Sequence, residues 1–151
     1  MYQRILRGMG AVVAAGIVII LTGCETPVFE LQVVNAGDYP LTSVRLVPVH
    51  EDSAEQAQAF EEAENLLPRD AGHNTMALAS GTTVTLPHPV EADIYYVAVT
   101  FFVHGDYDEY IEPVPVDFTG LPDGALVVMK TRRLRPDFKT EPEVDIEFFY
   151  Y

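Results

Sequence analysis

The segment Ile94 to Val103 reads Ile-Tyr-Tyr-Val-Ala-Val-Thr-Phe-Phe-Val, and it constrains the fold more than any other stretch. β-Branched and aromatic side chains suit a pleated strand. Alternation places Ile94, Tyr96, Ala98 and Phe102 on one side and Tyr95, Val97, Val99, Phe101 and Val103 on the other. Both sides are apolar, whereas a strand with one face in water alternates apolar with polar residues. A strand over Asp93–Val103 therefore has to be covered on both faces, as a central strand or as one lying beneath a helix.

The rest of the chain supplies partners for it. Phe29, Leu31 and Val33 alternate with Glu30 and Gln32, the period of a half-buried strand. Asn35-Ala36-Gly37-Asp38-Tyr39-Pro40 reads as a turn. A strand over about Thr42–Val49 follows, with Val44 and Leu46 on one face, and the two are expected to pair as a hairpin. Thr82–Leu86 is a further strand, ended by Pro87-His88-Pro89. Gly105-Asp106-Tyr107-Asp108 is expected to turn the chain. Glu109–Phe118 carries Pro113 and Pro115, two residues apart, so the same side of that strand loses donors. Only an edge strand tolerates this, and the prolines also guard it against pairing with other chains. Ala125–Leu134 and Val144–Tyr150 complete the set. In the last, Val144, Ile146, Phe148 and Tyr150 share a face, while Phe149 and Tyr151 fall on the polar one, where they either form a contact patch or pack under a helix.

One amphipathic helix is predicted, over 52–67. Asp52 or Ser53 can cap it, Ser53-Ala54-Glu55-Gln56 fits a capping box, and Ala57, Phe60, Ala63 and Leu67 make a thin apolar stripe. Pro68 stops it. About seven strands, short polar turns and one helix imply a single antiparallel β-sandwich spanning 28–151. The pieces Val33-Val34-Asn35, Glu64-Asn65-Leu66-Leu67 and Gly81-Thr82-Thr83-Val84 give it a loose resemblance to small bacterial Ig-like or C2-like sandwich domains, which carries no functional residue across.

The first 23 residues belong to a different kind of segment. Arg4 and Arg7 precede an apolar run over 9–21 that ends in Leu21-Thr22-Gly23-Cys24. A positive head, a short apolar core and a small-residue site make a secretory signal, and the run is shorter than the ~20 residues of a spanning helix. The ending resembles the lipobox of bacterial lipoproteins. That resemblance implies cleavage between Gly23 and Cys24, with diacylglyceryl on the Cys24 sulfur and usually a third acyl chain on the new amino terminus. Two or more chains hold a protein stably, where one binds only marginally. Cys24 is the single cysteine of the chain, and lipidation accounts for it without a disulfide partner. Residues 24–27 then form the lipidated N-terminus and a very short tether. The resemblance also implies an address at the periplasmic side of a bacterial envelope. Glu25, in the position where Asp favours inner-membrane retention in enteric bacteria, points to the outer membrane.

Composition excludes some roles. The formal net charge is −14, and the first 23 residues contain two arginines and no acid, so the remainder is more acidic still. Nucleic acid, which demands clustered Lys and Arg, is not a partner. An anionic membrane surface repels such a domain, so attachment falls to the lipid.

Catalytic chemistry has little to stand on. Ser43, Ser53 and Ser80 sit in no Gly-x-Ser-x-Gly turn. His50, His73, His88 and His104 have no metal-ligand spacing. Asp106, Asp108, Glu109 and Glu112 crowd one expected hairpin and are the candidate calcium ligands, since calcium takes six to eight oxygens on a bent loop. Arg132, Arg133 and Arg135, with Lys130 nearby, either offset acids across the sheet or meet headgroups or a partner. Headgroup contact requires them to lie at the same end as Cys24. The expected function is that of a non-enzymatic, lipid-anchored interaction or assembly module with an envelope protein as partner. It predicts a flat apolar or edge surface. The alternative, a calcium-assisted module binding glycan or a small molecule, predicts a concave pocket with convergent polar groups.

Overall fold

Phe29, Leu31, Val33, Val127 and Met129 are fully buried on one side of the core, and Leu41, Val44, Val97, Val99 and Phe101 on the other. Two sheets place them there. The computed structural model describes residues 25–135 and 144–151; the expected signal segment and Cys24 lie outside these. Among the described residues the strands are β1 (Val28–Asn35), β2 (Leu41–Pro48), β3 (Thr83–Thr85), β4 (Val90–Glu91), β5 (Ile94–Val103), β6 (Asp106–Ile111), β7 (Val116–Asp117), β8 (Ala125–Arg133) and β9 (Val144–Tyr150), with one helix, α1 (Ser53–Glu62). The first sheet runs β3-β1-β8-β9, with β4 also beside β1; the second runs β2-β5-β6, with β7 also beside β5. The chain is thus mostly β, in a sandwich-like pair of sheets.

Two expectations about pairing are corrected. β1 and β2 do not form a hairpin, because they belong to different sheets. Buried Asn35 holds the arch between them: its Nδ2 donates to the carbonyls of Tyr39 at 2.9 Å and Leu78 at 2.8 Å, and its Oδ1 accepts from Gly37 N at 3.2 Å. An arch lets the apolar faces of β1 and β2 meet across the core, where a hairpin would leave them side by side. Nor is the architecture wholly antiparallel. β1 and β8 run parallel, from Phe29 opposite Ala125 to Asn35 opposite Thr131. The whole second sheet intervenes between them in sequence, which gives the chain room to return in the same direction.

β5 is the central strand that its composition demands, flanked by β2 on one side and by β6 and β7 on the other. Its inner residues Val97, Val99 and Phe101 enter the core. On its outer side Phe60 of α1 packs against Tyr96 at a 5.7 Å centroid distance, and Ala98 and Val47 are buried. Phe118 closes the core at the end where β1 begins, in ring contact with Phe29, Tyr95, Phe148 and Tyr150.

The helix is shorter than expected and ends at Glu62. Asp52 caps it, accepting from Ala54 N and Glu55 N. Gln56 does not close a capping box on Ser53; its side chain reaches further back, to His50 N and the Pro48 carbonyl. Residues 63–67 leave the helix because Asn65 gains more from the edge of β2. Its Oδ1 accepts from Val44 N and Leu67 N, and its Nδ2 donates to the Thr42 carbonyl.

Candidate functional site

The expected acidic turn is a strand. His104 and Gly105 alone make the turn, with φ of 51° and 93°, and Val103 pairs with Asp106 directly across it. Such two-residue turns need positive φ at both positions, which Gly105 supplies at little cost. Extension then sends alternate acids to opposite faces. Asp108 turns inward and bridges the sheets to Arg133 on β8 at 2.6 Å. Glu109 lies on the outer face and pairs with Arg45, whose other nitrogen caps α1 at the Phe60 carbonyl. Glu112 accepts from the Tyr110 hydroxyl. Among the described residues no group of three or more His, Cys, Asp or Glu is placed to hold a metal ion. The calcium reading of Asp106, Asp108, Glu109 and Glu112 is therefore not carried forward.

The arginines offset acids across the sheet. Arg132 pairs with Asp145 directly opposite it on β9, and Lys130 lies 3.8 Å from Glu147. Arg135 donates its backbone N–H to Asp38, and its guanidinium lies over the Tyr39 ring. The parallel β1–β8 pairing puts Arg132 and Arg133 at the far end of β1 from Val28, about 23 Å away at roughly 3.3 Å per residue. Headgroup contact by Arg132, Arg133 and Arg135 requires them to lie at the same end as Cys24, which is outside the described residues. The histidines stand apart. His104 shares a hydrogen bond with the Tyr39 hydroxyl, His50 lies 3.9 Å from Glu55, and His73 sits in a loop at φ 63°.

Two features remain that chemistry can use. One is a cavity of about 370 Å³ between residues 64–69 and 86–88. Leu67 and Leu86 are buried at its floor, and exposed Glu64, Arg69 and His88 stand at its rim. Nothing in the sequence marked it, because its walls come from the helix-to-loop transition and a proline-broken strand.

The other feature is the edge of β9. Most of the other edges are covered or short. β2 is covered by Leu66 N to the Val44 carbonyl, by Asn65, and by a reciprocal Leu41–Leu78 backbone pair. β3 and β4 are three and two residues long, with Pro87 and Pro89 between them. β7 is two residues long; β6 is also an edge, but it is six residues long and carries three acids, Asp106, Asp108 and Glu109, while Pro113 and Pro115 lie beyond its end. β9 is seven residues long, contains no proline, and pairs with β8 without a register break from Val144 to Tyr150. Among the described residues nothing pairs with its other side.

The ladder parity of that edge follows from one bond pair. Leu126 and Tyr151 exchange both backbone hydrogen bonds. Bonded and non-bonded pairs alternate in an antiparallel ladder, so Asp145, Glu147 and Phe149 also bond to β8. The backbone groups of Val144, Ile146, Phe148 and Tyr150 point outward. On the outer face of the first sheet, Phe149 lies opposite Val128 and Tyr151 opposite Leu126. The helix covers the second sheet instead, so Phe149 and Tyr151 do not pack beneath it. Phe149 is 41% exposed and Tyr151 77%.

No protein-family model matches this chain, and neither a curated protein nor a solved structure matches it at a significant level.

Proposed function

We propose that this chain is a lipid-anchored, non-enzymatic module of a bacterial envelope that binds an extended segment of another envelope protein along β9. The open edge of β9 carries the reading. Natural sheets cover, shorten or break their edges to avoid unwanted pairing. Here β2 is covered by an applied segment, β3, β4 and β7 are short, the six-residue β6 edge carries three acids, and β9 is the longest edge left regular and unpaired among the described residues. Strand addition supplies affinity through main-chain hydrogen bonds and specificity through alternate side chains. The apolar Phe149–Val128 strip beside the edge suits the outward residues of such a strand. A second copy is a poor occupant, because each copy is strongly acidic. A segment that is cationic on balance is steered towards it. Attachment rests on Cys24, with the outer membrane favoured by Glu25.

The test is crosslinking followed by hydrogen exchange. A photocrosslinker at Phe149 in living cells gives a discrete protein adduct, and one at Glu109 on the β6 edge gives none. The adduct is lost in Ile146→Pro, which removes an outward N–H without breaking the β8 ladder. It also weakens in Cys24→Ser, which leaves the membrane. A peptide of the captured segment then protects the amides of Ile146, Phe148 and Tyr150, leaving Asp145, Glu147 and Phe149 as they were. Equal adducts at both positions, or protection of consecutive residues, would refute strand addition.

The cavity supports a second reading. Its volume is near the lower bound of small-molecule sites. An apolar floor with Arg69, His88 and Glu64 at the rim suits a small amphiphilic molecule. Binding that is lost in Arg69→Ala and kept in Ile146→Pro would favour it over strand addition.

A further inference from the structure

We infer that the end of the sandwich where β1 begins lies against the bilayer and seats Tyr150 and Tyr151 among zwitterionic phospholipid headgroups. This rests on the reading of Cys24 as the anchor. Val28, the first residue of β1, is four residues beyond Cys24, a reach of at most about 14 Å.

The loops that surround this entry point are fixed by the backbone. Gly124 N donates to the Val28 carbonyl at 2.8 Å, Val28 N donates to Asp123 Oδ1 at 3.0 Å, and Ala92 N donates to the Pro27 carbonyl at 2.7 Å. Tyr151 joins the same end through its paired bonds with Leu126, which lies opposite Glu30. Tyr150 and Tyr151 are 50% and 77% exposed there.

Tyrosine combines an apolar body with a polar tip and is enriched at the headgroup level of membranes. The charges around these rings select the lipid. Glu91 and Asp117, the last residues of β4 and β7, and Asp93 and Asp123 in the adjoining loops lie at this end, and segments 87–94 and 117–124 contain no Lys or Arg. An anionic surface repels such a rim, while the ammonium groups of zwitterionic headgroups can face it. Arg133, Arg135 and the His104–Gly105 turn lie at the opposite end, turned to the aqueous side.

The chain contains no tryptophan, so single-tryptophan reporters are unambiguous. The lipid-modified full chain is placed on vesicles of phosphatidylethanolamine and phosphatidylcholine with brominated acyl chains. Tyr151→Trp replaces a highly exposed side chain, and Tyr107→Trp reports from beside the opposite turn, where Tyr107 is 69% exposed. The Tyr151→Trp emission shifts to the blue and falls by roughly half, as for an aromatic at the headgroup level. The Tyr107→Trp emission is unchanged. Added phosphatidylglycerol weakens the Tyr151→Trp quenching. Failure of the protein to float with vesicles overturns the anchor reading, and the orientation with it. Flotation with an unquenched Tyr151→Trp, or with quenching at Tyr107→Trp instead, overturns the orientation alone. Quenching that strengthens with phosphatidylglycerol overturns the choice of zwitterionic lipid.

Discussion

Gly37 shows how little room a single residue can have in this fold. The arch after β1 continues along β8, with Ala36 N donating to the Thr131 carbonyl and Asp38 N to the Arg133 carbonyl. A Cβ at Gly37 would stand 2.4 Å from the Arg133 backbone nitrogen and 2.8 Å from its oxygen. Neither atom belongs to a side chain that could swing away, so the backbone itself has to shift. Gly37→Ala therefore lowers stability by about 1–3 kcal/mol, the usual cost of forcing extra volume into a packed site. The measurement is the urea midpoint, and an unchanged midpoint would contradict the close approach. The sequence showed Asn35 and Gly37 as turn formers. It did not show that the turn is an arch, because the partners that decide this, Leu78 and Arg133, lie far along the chain.

Individual elements were legible to the extent that their pattern was local. The double-faced apolar run gave away β5 as central, and alternation identified the inward residues of β1 and β9, but the strand expected over Glu109–Phe118 breaks at Pro113 and Pro115 into β6 and β7, because neither proline can donate to the ladder. The expected helix over 52–67 went wrong for a physical reason. Its last turn competes with the β2 edge, and three side-chain hydrogen bonds from Asn65 outweigh a fourth helical turn. Asn65→Ala leaves Val44 N and the Thr42 carbonyl without these partners. We expect a loss of about 1–3 kcal/mol, the cost of unsatisfied groups in a partly buried site. Faster hydrogen exchange at the Val44 amide checks it, together with a lower urea midpoint. The acidic hairpin was misread at the same scale. Acids close in sequence look like a cluster, but extension sends Asp108 to Arg133 and Glu109 to Arg45, on opposite faces of one sheet.

At the scale of the molecule three tyrosines tie stability to high pH. Burial pushes the hydroxyls of Tyr95 and Tyr150 above the usual tyrosine value of 10.0, and nearby acids add to it: Asp93 and Glu91 for Tyr95, Asp117 for Tyr150. Tyr110 is raised too, first by burial and then by Glu112. The folded state holds these protons more tightly than the unfolded chain does. Their contribution to stability is complete below pH 10 and disappears as pH rises through the elevated folded values. Ultraviolet titration should show these tyrosines ionising above pH 10, with the urea midpoint falling in the same range. A single tyrosinate transition without loss of stability would count against the packing around Phe118.

The parallel pairing of β1 with β8 carries a consequence for the order of events during synthesis. Phe29 meets Ala125 only after most of the polypeptide has been made, so the middle of the first sheet is among the last parts to assemble. Contacts between residues so distant in sequence slow folding. Until β8 arrives, the nascent chain exposes one unpaired side of β1 and the apolar surface that Val127 and Met129 will later cover. A chain that delays its own closure in this way leaves apolar surface and an unpaired strand side exposed for longer, and it needs protection from aggregation until β8 is in place.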